Sequence, residues 1–372
     1  MKVLVAPNSF KECSDSVNIS DLIYENLKAK LGDKIIRAPI SDGGDGFTEV
    51  CNYYFKGKKL TYTISRPYGN STFECEIFYS NEARTVFIES ANILGLKIIP
   101  KEYRNPLLLS SKGIGEILQF LEKEKFSIEK VIIGIGGTGT SDMGLGACSV
   151  FGLTLINNKD KKKYEVIPEN FSFVDSIKWR NHNLLFEIKF VLDVNNPLTG
   201  VNGAIRIFSK QKGADENMML ILESGFNNIL NLLNDKKLLD SSKQLSGAGG
   251  GIPAGFSILF NSRDINADDF ILNFLGLKEK IKIVDLVITG EGSFDSQSLM
   301  GKGAGIIVNE ALKLGKEIVL ICGKVEEKLK SPLRKNVKYL ELQSYFNSTE
   351  ESIKNYKIGI EKACEEIVEM LK

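Results

Sequence analysis

The chain has 372 residues, 43% of them hydrophobic and 26% charged, with 48 Lys and Arg against 47 Asp and Glu. That length exceeds one ordinary core and predicts about two domains. The near-zero charge balance supplies no whole-chain field to draw nucleic acid or an anionic membrane, so the expected partners are small molecules.

Six scattered cysteines form no Cys-x-x-Cys pair, and there is one histidine, His182, in a polar stretch before a strand. These counts argue against a structural zinc site and against any triad that needs a histidine base. Carboxylates, lysines and backbone amides are left to carry whatever chemistry occurs. No signal core or apolar span of about 20 residues appears, which predicts a cytoplasmic protein with reduced thiols.

In chain order, "KVLVAP" reads as a short buried strand. Ile19, Leu22, Ile23, Leu27 and Leu31 follow at helical spacing, with Ser14 or Asp15 available as a cap. "KIIRAPI" is the next strand, and "SDGGDG" leads into a further element. Between about Leu60 and Ile99 the period changes: "LTYTIS", "FECEIFYS" and "RTVFIES" are β-branched and aromatic, separated by turn residues, as in an antiparallel meander. Alternation of helix and strand resumes with a helix at Ile114–Leu121, a strand from Val131 and a long helix through Met218 and Leu233. The stretch "NNKDKKKYE" near 157 to 165 reads as a charged loop. "VDLVITGEG", "EIVLICG" and "VKYLELQ" are buried-type strands, and one final helix places Ile353, Tyr356, Ile360, Cys364, Ile367 and Met370 on a single face.

Strands at both chain ends with a meander between them predict an α/β protein of two domains. A Rossmann-like parallel sheet is expected from residues 1–60 and 283–372, with an inserted mixed α/β domain over 61–282 and the active site in the cleft between them.

Five glycine-rich segments each carry an acid or a base: 41–46, 134–144, 192–204, 246–255 and 289–303. One such loop is ordinary turn chemistry; five, several of them after predicted strands, fit a ligand at the carboxyl ends of an α/β sheet. Phosphoryl transfer makes the matching demand, because it needs backbone amides around oxygens, carboxylates for Mg²⁺, a nearby cation and a group to orient the acceptor hydroxyl. The carboxylates available are Asp42, Asp45, Asp142, Asp193, Glu291 and Asp295, and the cations Lys11, Lys212 and Lys302. Asp42, Asp45 and Asp142 also suit helix caps, and Lys212 and Lys302 suit a solvated surface. Asp193 stands apart, since it ends the apolar "FEIKFVLDV" ahead of a proline turn. No P-loop or protein-kinase signature is present. The letters Gly134-x-Gly136-x-x-Gly139 match the dinucleotide fingerprint, but the acid expected about 20 residues on at the end of a second strand is missing.

Taken together and in this order, the motifs resemble the glycerate kinase family. "VAPNSFKECSDS", "PISDGGDGF", "NPLLLSSKGIGEI", "IGIGGTGTSDMGLGA", "DVNNPLTGVNGA", "QKGA", "GAGGG" and "DLVITGEGSFDSQSLMGKG" are similar to successive blocks of that family, from residue 3 to about 325. The resemblance implies ATP- and Mg²⁺-dependent phosphorylation of glycerate at the 2-hydroxyl by a two-domain α/β enzyme. Within it, Asp193 is expected to orient the acceptor hydroxyl and take its proton, with Lys11 as the catalytic cation. Ser9, Asp42, Gly43, Gly44, Gly136, Gly137, Gly139, Thr140 and Lys302 are expected to contact substrate or phosphate, and Asp45, Glu291 and Asp295 to hold the metal.

The chain departs from the family pattern at Asn8 in place of Asp, Glu12 in place of Gly, Arg66 before the proline, Ser293 after "GEG", and Ser209-Lys210 in place of Gly-Pro. These departures leave room for another small hydroxy acid as substrate, or for a catalytically weakened relative that binds a nucleotide or metabolite.

Overall fold

The computed structural model describes residues 1–240, 244–330 and 336–372. The strands in chain order are β1 (Val3–Val5), β2 (Ile35–Arg37), β3 (Lys58–Ser65), β4 (Thr72–Ser80), β5 (Thr85–Glu89), β6 (Lys130–Gly134), β7 (Thr154–Asn157), β8 (Lys162–Tyr164), β9 (Ser176–Lys178), β10 (Glu187–Leu192), β11 (Arg263–Asn266), β12 (Leu286–Phe294), β13 (Glu317–Val325) and β14 (Val337–Glu341). They fall in two compact units, Met1–Tyr54 with Asn266–Lys372, and Phe55–Ile265. The first unit takes up the chain again at Asn266, ahead of residue 283, and there Phe270 packs on Phe47 with ring centroids 5.4 Å apart.

In the first unit a five-stranded sheet runs in the order β14-β13-β12-β1-β2, with every pairing parallel. The helix Ser16–Leu31 starts at Asp15, whose side chain accepts from Asn18 N. It buries Ile19, Ile23 and Leu27, spaced four apart, in a core shared with Val3, Val5, Ile288 and the C-terminal residues Ile360, Cys364 and Ile367. That C-terminal segment is two helices, Thr349–Lys354 and Tyr356–Met370, where the apolar spacing alone predicts one; the break falls at Asn355.

The second unit holds a six-stranded sheet in the order β11-β10-β6-β5-β4-β3 and a small sheet β8-β7-β9. The β3-β4-β5 stretch is the antiparallel meander, and its last strand then pairs parallel with β6, so one sheet joins both wiring patterns. The charged stretch near 157 to 165 is a hairpin rather than a loop: it pairs back on Leu155 and Ile156, both buried, while its lysines face solvent. All six cysteines are free, and no helix among the described residues is long and apolar enough to cross a membrane.

Candidate active site

In the first unit the carboxyl ends of β1, β2 and β12 hold one polar cluster. The chain leaves β1 through Pro7, Asn8 and Ser9. The Ser16 hydroxyl donates to the Pro7 carbonyl at 2.6 Å and accepts from Ile40 N at 2.9 Å, which ties the loops after β1 and β2 together. Asp42 Oδ2 accepts from Gly303 N at 3.0 Å and from Asn8 Nδ2 at 3.5 Å, and its Oδ1 accepts from Gly44 N at 3.3 Å. Glu291, on β12, accepts from the Ser298 hydroxyl and, at 3.5 Å, from Ala304 N.

Both carboxylates therefore sit at the N-terminus of the helix Gly303–Lys313, where exposed amides favour negative charge. The Glu291 carboxyl is nonetheless pushed up to about 7, by burial first and by the Asp42 charge, against hydrogen bonds from Ser298, Ala304 and Asn8 that pull it down. Gly303 has φ +45°, and a β carbon there would lie 2.3 Å from Glu291 Oε2 and 2.5 Å from Asn8 Nδ2. Asn8 thus contributes a donor between two acids, where Asp would add a third negative charge.

The other expected residues of this unit are placed less tightly. Lys11 is exposed, with its backbone against Gly292. The Asp295 carboxylate accepts from Gln297 N at 2.8 Å and Ser298 N at 3.2 Å, capping the turn Ser296–Leu299. Lys302 Nζ donates to Gln297 Oε1 at 3.4 Å. Gly43, at φ +97°, makes the bend beside Asp42, and Ser9 and Asp45 are half-buried. Glu12, in the family's Gly position, takes the left-handed backbone that position calls for, with φ +67°.

In the second unit β5, β6 and β10 are parallel and place Glu89, Gly134 and Val191 in register. Glu89 and Ser90, the glycine loop and Asp193 consequently leave the sheet at the carboxyl ends of these strands. Asp142 is fully buried: its carboxylate accepts from Ser111 N and the Ser111 hydroxyl at 2.7 Å each, Gly144 N at 3.0 Å and Gly146 N at 3.2 Å. Burial raises its pKa and those four donors lower it. Asp142 is therefore the anchor of the loop and is too enclosed to reach a ligand.

Lys212, which composition alone suits to the surface, is buried, and its ammonium donates to the Thr140 carbonyl at 2.7 Å. Gly249, Gly250 and Gly251 all have positive φ, and a β carbon on Gly250 would stand 2.0 Å from the same Thr140 oxygen. The "GAGGG" block is thus glycine-rich because it packs on the 140–143 backbone.

What remains open in this loop is its amides. Gly139 N donates to Leu94 O at 2.7 Å and Met143 N to Gly250 O at 3.1 Å. Among the described residues the N–H groups of Gly136, Gly137, Thr138, Thr140, Ser141 and Asp142 have no acceptor, and neither does the buried Thr140 hydroxyl. Gly137 is exposed and the rest of this run is buried; an unpaired buried donor costs about 1–3 kcal/mol, so the run suits an anion or ordered water.

Two neighbours escaped sequence reasoning. Glu89, its side chain 2% exposed, takes Lys97 Nζ at 3.2 Å, and Ser90 carries a buried hydroxyl without a partner. The legible signal was an acid closing the apolar run "TVFIE". No group of three or more His, Cys, Asp or Glu suited to a metal ion occurs among the described residues.

A model of the glycerate kinase family matches residues 3–372. The chain is 29% identical over 376 residues to a glycerate kinase of Neisseria meningitidis serogroup B, covering 100% of this chain and 99% of the relative. It is 32% identical over 335 residues to a glycerate 2-kinase of Escherichia coli, covering 88% and 86% of the two chains. A crystal structure from Salmonella typhimurium LT2, provisionally named glycerate kinase 2, superposes with a TM-score of 0.79 at 26% identity, over 100% of this chain and 98% of that one.

Proposed function

This chain is a member of the glycerate kinase family, a phosphotransferase, and from that premise we propose that it moves the γ-phosphoryl group of ATP to the 2-hydroxyl of glycerate, giving 2-phosphoglycerate and ADP. The observation that carries this reading is the run of amides without acceptors at 136–142 with the Thr140 hydroxyl among them, a donor set matched to phosphate oxygens. The 2-position follows the name of the Escherichia coli relative.

Gly136, Gly137 and Thr140 would contact phosphate directly, and Gly139, with its amide already bonded, would shape the turn. Asp193, leaving the sheet beside this loop, orients the acceptor hydroxyl and takes its proton. Its contribution is modest, because a loose transition state needs little base assistance early. Lys11 and Lys302 supply positive charge, and Ser9, Gly43 and Gly44 add polar contacts.

Magnesium suits the first unit's acids: Glu291 and Asp42 repel each other, and a hard cation that takes one or two carboxylates relieves that repulsion. Glu291 would hold it, with Asp45 and Asp295 as the further acids proposed to serve it. A magnesium ion held there would supply positive charge for a phosphoryl group.

The test is ADP release by purified protein with Mg²⁺-ATP against D- and L-glycerate and other small hydroxy acids, with the product's phosphate located by NMR. Turnover with glycerate giving 2-phosphoglycerate is expected. Turnover only with another acid refutes the substrate, a 3-phosphate product refutes the position, and silence with every acid refutes the kinase reading.

A further inference from the structure

Lys212 closes the single turn Lys210–Lys212 with 4% of its surface exposed. Its ammonium donates to the Thr140 carbonyl, and no carboxylate of the described residues lies within ion-pair distance of it. Its pKa is held down to about 8, by burial and against the opposing charge of Asp142. Burying an ammonium for one neutral carbonyl is costly, and a methionine would fill the same space without that cost.

The contact acts on more than the oxygen. The Thr140 carbonyl and the Ser141 N–H belong to one planar trans peptide and point in opposite directions. A cation held on the oxygen therefore fixes where the N–H points, and it polarises the amide so that the N–H donates more strongly. The Ser141 N–H is one of the donors without an acceptor. Gly250 packs close to the same oxygen, and Asp142 fixes the far end of the segment through Gly144 and Gly146. The peptide is held at its carbonyl end by a cation and beyond its amide end by an anion.

We propose that Lys212 is a positioning residue for phosphate: acting through the Thr140–Ser141 peptide, it sets the direction and the donor strength of the Ser141 N–H toward a phosphate oxygen. This rests on the reading of 136–142 as a phosphate cradle.

The test follows the Ser141 amide by NMR in full-length protein labelled with ¹⁵N-serine, its signal identified by its loss in S141A, during titration with inorganic pyrophosphate. In the wild type the Ser141 amide proton moves downfield. In K212M pyrophosphate binds about tenfold more weakly, less than the roughly 10²–10³ in kcat that outright removal of an oxyanion donor costs an enzyme, and the Ser141 shift shrinks; K212R keeps most of both. A wild type in which pyrophosphate leaves the Ser141 amide unmoved overturns the cradle and this inference with it. A wild-type shift that K212M reproduces at equal affinity overturns the role of Lys212 and leaves the cradle standing. Where K212M does not fold, the wild type is titrated between pH 7 and 9 with sulfate, whose charge stays constant. Affinity and shift that fall as the pH passes about 8 support the role, and values independent of pH overturn it.

Discussion

Asp142→Asn tests whether the glycine loop is held by a buried carboxylate. Oδ1 accepts from Gly144 N, and Oδ2 accepts from Ser111 N, the Ser111 hydroxyl and Gly146 N. An asparagine can put its oxygen where Oδ2 stands and keep the two Ser111 donors and Gly146 N, but its NH₂ group then faces Gly144 N. The Gly144 amide loses its acceptor, and the new NH₂ is a second enclosed donor without one. At about 1–3 kcal/mol per stranded donor the two cost about 2–6 kcal/mol. Removing the carboxylate also removes its burial penalty, which lowers the net loss to about 2–4 kcal/mol.

The chain's single tryptophan makes the assay local. Trp179 stands edge-on to Phe260 at 5.3 Å, in the same unit as Asp142, so denaturant unfolding followed by its fluorescence reports that unit. A midpoint shift equivalent to about 2–4 kcal/mol is expected for D142N, with lower kcat as the amides lose their alignment. A variant within about 0.5 kcal/mol of the wild type would show that the donors find other acceptors, and the anchoring role would be wrong.

Asp193→Asn should lower kcat by roughly 10²-fold, the lower end for a general base, with the Trp179 unfolding midpoint unchanged; wild-type turnover would remove the assignment. Gly250→Ala should destabilise by about 2 kcal/mol or more, since its φ of +73° strains any side chain and its β carbon would meet the Thr140 oxygen at 2.0 Å, and an unchanged Trp179 midpoint would refute that packing. Lys212 has a folded pKa of about 8 against an ordinary 10.5, so its stabilising contribution is fully present only above 10.5 and is lost as pH falls through 8. The stability of the wild type relative to K212M should therefore rise by about 3 kcal/mol from pH 8 to 10.5, at about 1.4 kcal/mol per pH unit. A difference that does not change with pH would mean that Lys212 is not buried as a charge.

The sequence by itself determined the elements and their kind. Helical spacing of Ile19, Ile23 and Leu27 and the buried-type runs at 3–6, 284–292 and 317–323 made an α/β reading unavoidable, because apolar periodicity is local information. The ordered blocks from residue 3 to about 325 carried the family. The tertiary structure decided what each polar residue is for. Asp142 and Lys212 read alike as a cap and a surface lysine, yet one is enclosed by Ser111, 31 residues away, and the other reaches Thr140, 72 residues away. Burial, and with it the direction of a pKa or the need for a partner, depends on neighbours distant in the chain, and a local window does not contain them. Glu291 shows the same limit: its carboxyl is pushed up to about 7 by enclosure and by Asp42, two conditions that exist only after the strands have paired.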